Sequence, residues 1–483
     1  MVTRVLLLQK CRWRALFLVV CLFLTFQLYL QHGGNYYVRM FSNGVISGRQ
    51  LNGTGNISLH VMRSGSHVTR HRSPLADKLV KQFQTRLSKP RSVYQLNDTE
   101  TYSHFMGRLK ILRKRGDYLT KYFNITGNRS WERFHRGINQ YYLYDPDSGT
   151  DLTDLLRDLN KKTIVAARST PYSSHLAITL VFEDGSKGIF KAIRTPKEQE
   201  ASPNHFYFSD IERPTAEIAA FHLDKVLAFY RVPPTVGRVV NITRDLIMVG
   251  DENIKPTAHR SPVGNSCFFG SCKDYCTQGH ALCGNPHLIE GSVSAFLPNR
   301  SLEESGNSFL NPYVRSYDMN TKVKWEYNES FCETDVKPVP EYQGRFILDL
   351  TDLAVFDFLQ GNLDRHHIET FKMFGNDTFL VHYDNGRGFG RSKYDCISCL
   401  APVRQCCKVR LSTLAKLVKL YTGPDSLSQL LRMSLSSDPL APILTEPHLD
   451  ALDRRVGLVI STVYDCVNRT GSWDQVIVDD GVV

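Results

Sequence analysis

Two acidic motifs lie 20 residues apart in the C-terminal half of the chain. The first holds Asp364, within Gly361–His367, and the second holds Asp384, which precedes Asn385 and Gly386. Phosphoryl transfer depends mainly on positioning and charge neutralisation, so it needs few such groups. One aspartate can accept or orient the proton of an acceptor hydroxyl, and we assign this role to Asp364. A second carboxylate can hold a divalent metal that bridges nucleotide phosphates, and we assign this role to Asp384.

A lysine suited to holding phosphate oxygens lies upstream, at Lys191. The segment Glu183–Ser186 contains an Asp-Gly pair between two apolar runs, which predicts a β-hairpin. On the return strand, Lys191 shares one face with Ile189 and Ile193, because side chains alternate with a period of two. A surface lysine on an edge strand is the structural alternative.

A helix is predicted soon after this hairpin. Glu212 stands at its start, Pro214 suits the first turn, and Glu217 follows one turn later. Apolar residues then recur at helical spacing, at Ala216, Ala219, Ala220, Leu223, Val226 and Leu227. From the residues alone, Glu217 is the expected partner of Lys191. A hairpin lysine, a helix glutamate, a loop aspartate and a strand-end aspartate follow one another in this order in protein kinases.

Further elements are predicted to position the two aspartates. An apolar helix from Phe346 to about Gln360 precedes Asp364, and a hairpin of Phe371–Phe374 and Thr378–Tyr383 leads to the second motif. Two more helices are predicted, around Leu411–Tyr421 and Leu449–Val463. The predicted fold class is α+β, an atypical two-lobed protein-kinase-like fold. Its N-lobe is rich in β-strands, and its C-lobe is mainly helical and carries disulfides.

Composition and charge limit the class of protein. The 483 residues are 42% hydrophobic and 22% charged, which excludes a wholly disordered, collagen-like or polytopic membrane protein. The formal net charge of +11 is unevenly placed, because residues 1–115 carry 19 Lys and Arg against 3 Asp and Glu. The remaining body is mildly acidic. A nucleic-acid partner therefore loses the support of the overall charge, and we predict none.

The N-terminus predicts entry into the secretory pathway. Four basic residues, Arg4, Lys10, Arg12 and Arg14, precede an apolar run from Ala15 to Leu30. We favour a type II signal anchor over a cleaved signal peptide, and a buried core helix is the structural alternative. The predicted organisation is a cytosolic tail and anchor (1–30), a flexible lumenal stem (31–103), an N-terminal extension packing on the kinase (104–160), an N-lobe with an inserted disulfide loop (161–288), a C-lobe (289–476) and a tail (477–483).

Glycosylation sequons and cysteines agree with a lumenal body. The chain has ten N-x-S/T sequons, and the sites predicted to be glycosylated are Asn124, Asn241, Asn328, Asn376 and Asn468. Ten of the 12 cysteines lie between residues 267 and 466, which favours disulfides in an oxidising compartment. A zinc site is the alternative, built from Cys396, Cys399, Cys406 and Cys407 with His366 and His367.

Several segments closely resemble the family-with-sequence-similarity-twenty secretory kinases over roughly residues 130–480. They are Phe206–Asp210, Ala216–Asp224, Ile289–Ser292, Asn362–His367, Gly375–Gly390 and Gln405–Cys407. The resemblance implies an atypical kinase fold that uses ATP with Mn²⁺, or with Mg²⁺. It also implies a type II protein of the Golgi lumen, which cleavage of the stem would release as a secreted form.

The resemblance also implies individual roles. It places Glu212, rather than Glu217, in the active site, where Glu212 would help Asp384 hold the metal. Cofactor binding is implied for Lys191, Glu212, Glu290, Gly291, Ser292, Glu369 and Asp384, with Glu290–Ser292 near the adenine. The implied disulfides are Cys267–Cys283, Cys272–Cys276, Cys332–Cys406 and Cys407–Cys466. Cys396 and Cys399 remain as an extra pair, and whether they bond to each other stays open.

Within this family, the segments favour the casein-kinase branch, whose members phosphorylate serine in secreted acidic proteins at Ser-x-Glu. The alternatives are a xylosylkinase of proteoglycan linkers and a pseudokinase that binds and activates a related kinase. A homodimer, or a heterodimer with a related kinase or pseudokinase, is the expected assembly. Ala177 replaces a second family lysine, and Thr215 departs from the family pattern, which keeps the pseudokinase alternative open. Glu212, Asp364 and Asp384 favour an active enzyme.

Overall fold

The computed structural model describes residues 72–87, 125–145, 149–202, 211–298, 306–318, 320–342 and 344–480. Its main sheet has five antiparallel strands in the order β1-β2-β3-β8-β4. The strands of this sheet are β1 (Ile164–Ser169), β2 (Ile178–Phe182), β3 (Lys187–Ala192), β4 (Thr235–Asn241) and β8 (Leu288–Ala295). The predicted hairpin is confirmed, because β2 and β3 pair around a turn in which Gly185 has φ +82°.

The small strands between β4 and β8 form a second sheet of three strands. They are β5 (His259–Arg260), β6 (Ser266–Phe268) and β7 (Leu282–Cys283). This insertion agrees with the predicted disulfide loop of the N-lobe. The predicted boundary between the lobes at residue 289 is wrong, because β8 lies between β3 and β4 in the main sheet. The N-lobe therefore extends at least to Ala295.

The remaining described part is mostly helical. Its helices before residue 300 are α1 (Pro74–Leu87), α2 (Ser130–Gly137), α3 (Gly149–Lys161) and α4 (Pro214–Leu227). Those that follow are α5 (Lys324–Tyr327), α6 (Phe346–Gln360), α7 (Ala401–Cys406), α8 (Leu411–Thr422), α9 (Leu427–Leu435), α10 (Glu446–Thr470) and α11 (Trp473–Val476). The predicted helices α4, α6, α8 and α10 are confirmed. Every residue of α6 is buried, so this helix forms the centre of the C-lobe.

The hairpin predicted between the two acidic motifs is wrong. Strand β10 (His367–Phe371) pairs instead with β9 (Gly306–Leu310), far upstream in the chain. Residues 372–377 turn as a 3₁₀ segment. Glu369 and Val381 form an isolated bridge, and the backbone N–H of Phe371 donates a 3.0 Å hydrogen bond to the Thr378 hydroxyl. A local Gly-Asn turn signal was therefore overridden by a long-range strand pairing.

Part of the predicted flexible stem is folded. In α1, the apolar residues Ala76, Leu79, Val80 and Phe83 are buried and pack toward α10 and α11. The hydroxyl oxygens of Ser73 and Ser461 lie 2.6 Å apart, and the rings of Phe83 and Trp473 are 6.3 Å apart between centroids. Residues 74–87 therefore belong to the folded body, because their apolar face has a helical spacing that suits burial.

The predicted N-terminal extension is described only in part. Helix α3 packs on β4, and the side-chain amide of Asn160 donates a 2.6 Å hydrogen bond to the carbonyl of Gly237. The predicted C-terminal tail is wrong for residues 477–480. Strand β12 (Ile477–Val478) pairs in parallel with β11 (Val409–Arg410), and Asp480 accepts a 3.1 Å hydrogen bond from the backbone N–H of Ser412.

The structure has the four disulfides that the resemblance implied: Cys267–Cys283, Cys272–Cys276, Cys332–Cys406 and Cys407–Cys466. Cys406 and Cys407 are therefore removed as zinc ligands. Among the described residues, Cys396 and Cys399 carry free thiols rather than a bond to each other.

Some predictions fall on residues that the structure does not describe. No helix in the described ranges has the length and apolarity to cross a membrane, and the predicted anchor at 1–30 lies outside them. The segment Phe206–Asp210, the sequon Asn124 and the side chain of Asn376 also lie outside the description. Of the other predicted glycosylation sites, Asn468 is exposed, whereas Asn241 and Asn328 are half-buried.

Candidate active site

Three carboxylates converge on one lysine between the lobes. The ammonium of Lys191 lies 2.6 Å from Glu212 Oε1, 2.7 Å from Glu217 Oε1 and 3.0 Å from Asp384 Oδ1. Strand β3 supplies Lys191, and the second acidic motif supplies Asp384. Glu212 lies just before α4, and Glu217 lies in its first turn. From the residues alone, Glu217 was the predicted partner of Lys191, whereas the family resemblance implied that Glu212 lies in the active site. The structure brings both to the lysine.

The charges in this cluster do not balance. Three carboxylates surround one ammonium, and carboxylate oxygens of Glu212, Glu217 and Asp384 lie within 4.8 Å of one another. Burial alone would lower the pKa of Lys191, but the charges of Asp384, Glu212 and Glu217 raise it well above its usual value. The Lys191 charge in turn holds the pKa of Asp384 well below its usual range, against the effect of burial. Lys191 and Asp384 are therefore ionised at neutral pH, and one ammonium faces three carboxyl groups.

The loop around Asp384 is fastened to both ends of the Glu212–Glu217 segment. The backbone N–H of Arg213 donates a 2.8 Å hydrogen bond to the carbonyl of Gly386, and the N–H of Asn385 donates one of 3.1 Å to Glu217 Oε2. A Cβ at Gly386 would lie 2.6 Å from Glu212 Cγ, so only glycine fits this approach. Asp384 itself has φ +58°, a strained conformation that a non-glycine residue adopts mainly where function requires it.

Asp364 lies in a separate, partly polar environment. The hydroxyl of Tyr317 donates a 3.0 Å hydrogen bond to Asp364 Oδ1, and Arg387 Nε lies 3.7 Å from Oδ2. The Asp364 backbone N–H donates to the side-chain oxygen of Asn362 at 3.0 Å, which holds the loop. The hydrogen bond between the side chains of His366 and Asp364 raises the pKa of His366. One carboxylate oxygen therefore faces a phenol and the other faces a cation.

Arg365 connects the two acidic motifs. Its guanidinium makes a two-point ion pair with buried Asp357 of α6, with contacts of 2.8 and 3.0 Å. The same side chain donates a 2.7 Å hydrogen bond to Asn385 Oδ1 and another bond to the carbonyl of Tyr383. Because Arg365 is next to Asp364 and Asn385 is next to Asp384, one buried side chain fixes the spacing of both aspartates.

The remaining predicted cofactor residues lie around this centre. Ser292 of β8 is directly opposite Lys191 of β3, and Gly291 is opposite Ala192. The Ser292 hydroxyl is buried and has no hydrogen-bond partner among the described residues, whereas Glu290 is exposed. Glu369 is half-buried on β10, and its carbonyl accepts a 2.8 Å hydrogen bond from Val381. The location of Glu290–Ser292 beside an adenine stays a prediction.

Sequence reasoning missed two groups of residues in this site. Arg365 and Asn385 stand next to the two assigned aspartates, so their position in the motifs was a usable signal. Tyr317 and Arg387 reach Asp364 only through the fold, and Tyr317 lies in a segment without a chemical motif. The replaced family lysine, Ala177, is buried beside β2, and its carbonyl accepts a 3.0 Å hydrogen bond from Thr170.

A family model described as Golgi casein kinase, C-terminal, Fam20 matches residues 129–475. The chain belongs to the Fam20 family. The extracellular serine/threonine protein CG31145 of Drosophila melanogaster is 47% identical over 346 residues, which cover 71% of this chain and 65% of that protein. The human extracellular serine/threonine protein kinase FAM20C is 45% identical over 353 residues, covering 73% of this chain and 60% of that protein. The chain thus matches slightly less than two thirds of the length of these relatives.

Solved structures confirm the kinase-like fold. The crystal structure of the Golgi casein kinase with Mn/ADP bound superposes with a TM-score of 0.69 at 36% identity. The match covers 80% of this chain and 95% of that one. The family also contains a pseudokinase and a glycosaminoglycan xylosylkinase, which are the two alternatives that the sequence left open.

Proposed function

We propose that this Fam20 chain is a secretory-pathway kinase that transfers the γ-phosphate of ATP to serine in secreted acidic proteins of the Ser-x-Glu type. The observation that carries this proposal is the meeting of Lys191, Glu212 and Asp384 at one centre, with Asp364 held beside it through Arg365. These groups supply the phosphate-binding lysine, the metal-binding carboxylates and the acceptor-orienting carboxylate that phosphoryl transfer requires.

The residues present fit a divalent metal. Three carboxylates lie within 4.8 Å of one another and exceed the charge of Lys191, and hard cations such as Mn²⁺ and Mg²⁺ prefer oxygen ligands. Glu212 and Asp384 would hold the ion, and Glu217 would keep its bonds to Lys191 and Asn385. When bound, the metal neutralises charge on the nucleotide phosphates. Mn/ADP in the related Golgi casein kinase supports the same pair of cofactors here.

The residues of the chain have distinct roles in this proposal. Lys191 binds phosphate oxygens as a point charge. Asp364 accepts or orients the proton of the serine hydroxyl, and Tyr317 holds the Asp364 carboxylate in place. Arg387 places a cation beside Asp364, and its Nη1 is buried without a partner among the described residues. That unpaired donor supports an anionic acceptor, although the body as a whole is mildly acidic.

The location and partners belong to the same proposal. The chain would face the Golgi lumen from a type II anchor, with release by cleavage as the alternative, and would pair with itself or with a related kinase or pseudokinase. Four disulfides support an oxidising compartment.

A pseudokinase is the second candidate function, and Ala177 favours it because a lost lysine removes one charge-assisted phosphate contact.

The test uses the purified full chain with ATP and Mn²⁺. A Ser-x-Glu peptide and a galactosyl-xylose glycoside are offered in parallel, with Asp384→Ala as the inactive variant and exposed Asp425→Ala as its matched control. We expect transfer to the peptide that Asp384→Ala abolishes and Asp425→Ala leaves unchanged. Transfer to the glycoside alone would assign a xylosylkinase. ATP binding without transfer to either acceptor would assign a pseudokinase.

A further inference from the structure

Two free thiols stand at the ends of one tight turn. Cys396 precedes the 3₁₀ segment Ile397–Leu400, and the backbone N–H of Cys399 donates a 2.8 Å hydrogen bond to the Cys396 carbonyl. Side chains at i and i+3 of a 3₁₀ turn lie on the same side, and the turn rises by about 2 Å per residue. The two Cα atoms are therefore about 6 Å apart, within the range that a disulfide spans.

A guanidinium lies between the two sulfurs. Arg315 Nη2 is 3.3 Å from Cys396 Sγ, 3.6 Å from Cys399 Sγ and 2.9 Å from Ser398 Oγ. Burial would raise the pKa of Cys396, but a hydrogen bond from Cys399 and the charge of Arg315 lower it to about 6. Burial raises the pKa of Cys399 well above its usual value. Thiolates are the reactive form in disulfide exchange, so Cys396 is the attacking thiolate of the pair and Cys399 is the second thiol.

The pair lies against the loop that carries Asp364. The thiol of Cys399 is 3.9 Å from the carbonyl oxygen of Asn362, the residue whose side chain holds the Asp364 backbone. Arg315, Tyr317, Asp364 and Cys399 line one small cavity beneath this loop. Cys396 is buried and Cys399 is half-buried, so Cys399 is the more exposed member of the pair.

We propose that Cys396 and Cys399 are a reversible dithiol–disulfide site whose oxidation rearranges the Asp364 loop. The oxidant is a small disulfide such as glutathione disulfide. A thiolate of the pair attacks one sulfur of that disulfide, and the first glutathione leaves as a thiolate. The second cysteine then loses its proton to the departing sulfur, attacks the mixed disulfide and releases the second glutathione. One disulfide is reduced as one is formed.

Oxidation changes the surroundings of Arg315. The bond removes the negative charge of Cys396 and the S–H donor of Cys399, so two of the three acceptors at this end of the half-buried guanidinium become weaker. Arg315 is two residues before Tyr317, whose hydroxyl donates a hydrogen bond to Asp364. Oxidation also removes the contact of the Cys399 thiol with the carbonyl of Asn362. The oxidised pair should therefore loosen residues 361–367. An effect on phosphoryl transfer rests on the proposed function, whereas the loosening does not.

The full chain is incubated in glutathione buffers from fully reduced to fully oxidised, then alkylated and digested. We expect both cysteines of the 396–399 peptide to become protected together, with the loss of two mass units, while the four structural disulfides stay intact. Hydrogen exchange of residues 361–367 should rise at least about three-fold on oxidation, and excess reduced glutathione should reverse it. Transfer to a Ser-x-Glu peptide should fall by a similar factor.

Variants separate this site from general effects of glutathione. Cys399→Ser and Cys396→Ser should each keep the reduced exchange pattern of residues 361–367 at every buffer ratio. Two alkylated thiols in the fully oxidising buffer, or a disulfide that leaves hydrogen exchange unchanged, would overturn the proposal. Protection with changed exchange in a chain that transfers no phosphate would support the redox site and reject the proposed kinase.

Discussion

The hydroxyl of Tyr317 donates a 3.0 Å hydrogen bond to Oδ1 of Asp364, the carboxylate assigned to the acceptor proton. Tyr317 is itself half exposed, so it stands at the rim of the site rather than in the core. A phenol in this position leaves Oδ2 of Asp364 directed at Arg387. The tyrosine thus occupies one of the two carboxylate oxygens of Asp364.

Removing that hydroxyl should slow transfer without changing nucleotide binding. Hydrogen bonds to charged groups contribute about 1.5–3 kcal/mol, so Tyr317→Phe should lower kcat by about ten-fold or more. The KM for ATP should stay within a factor of about two, because Lys191 and the carboxylates are untouched. The exposed Tyr327→Phe is the matched control and should behave as the wild type. Equal kcat values for all three chains would reject the positioning role.

The two glutamates at Lys191 should differ in their response to metal. Glu212→Gln should raise the Mn²⁺ concentration for half-maximal binding by at least the roughly ten-fold that losing even an outer-shell partner costs, because Glu212 is proposed as a direct ligand. Glu217→Gln should change it by less than about three-fold, because this residue pairs with Lys191 and the Asn385 N–H. Electron paramagnetic resonance of free Mn²⁺ measures this concentration for each variant, and the exposed Glu341→Gln is the control. The reverse order would make Glu217 the ligand.

Phe83 should stabilise the whole body although it lies in the predicted stem. Its ring is buried against Trp473, and large-to-small changes of buried aromatics cost about 3–5 kcal/mol. Phe83→Ala should therefore lower the melting temperature clearly, whereas Gln82→Ala on the exposed face should not. Thermal unfolding followed by circular dichroism checks the pair. Equal melting temperatures for Phe83→Ala and Gln82→Ala would mean that α1 does not pack on the folded body in solution.

Acid should weaken the fold through His448. Burial lowers the pKa of this side chain from 6.5 to about 4, although Glu200 acts in the opposite direction. The folded state resists protonation, so the stabilising contribution is complete above pH 6.5 and is lost as pH falls toward 4. The loss should approach about 3 kcal/mol. His448→Gln cannot titrate, so the difference in unfolding free energy between the two chains should shrink over this interval. Parallel pH curves would contradict the assignment.

Local signals in the sequence predicted the elements that supply the site. The Asp-Gly turn before Lys191 and Pro214 at the start of α4 act over a few residues, and both elements are present as predicted. The order of Lys191, Glu212, Asp364 and Asp384 along the chain then predicted the kinase-like fold. Neither inference needed a contact between distant parts of the chain.

Long-range pairing accounts for most of what sequence reasoning missed. Ser292 pairs with Lys191 across about a hundred residues, so nothing local placed β8 inside the N-lobe sheet. Leu310 likewise pairs with His367 and removes the predicted hairpin. Helix α1 is different, because Ala76, Leu79, Val80 and Phe83 have a readable helical spacing. The polar residues around them led to the wrong prediction of a stem.

The packing of α1 on α10 has a consequence for release from the proposed membrane anchor. The sequence favours a solvated charge run at Arg113–Arg115, between α1 and α2, with a protease processing site as the alternative. A single cut there would leave two chains that still share a buried interface through Phe83 and Trp473. The N-terminal fragment would stay attached without a covalent link. Shedding of the catalytic body would require a cut before Pro74, and fragments after a later cut should separate only in denaturant.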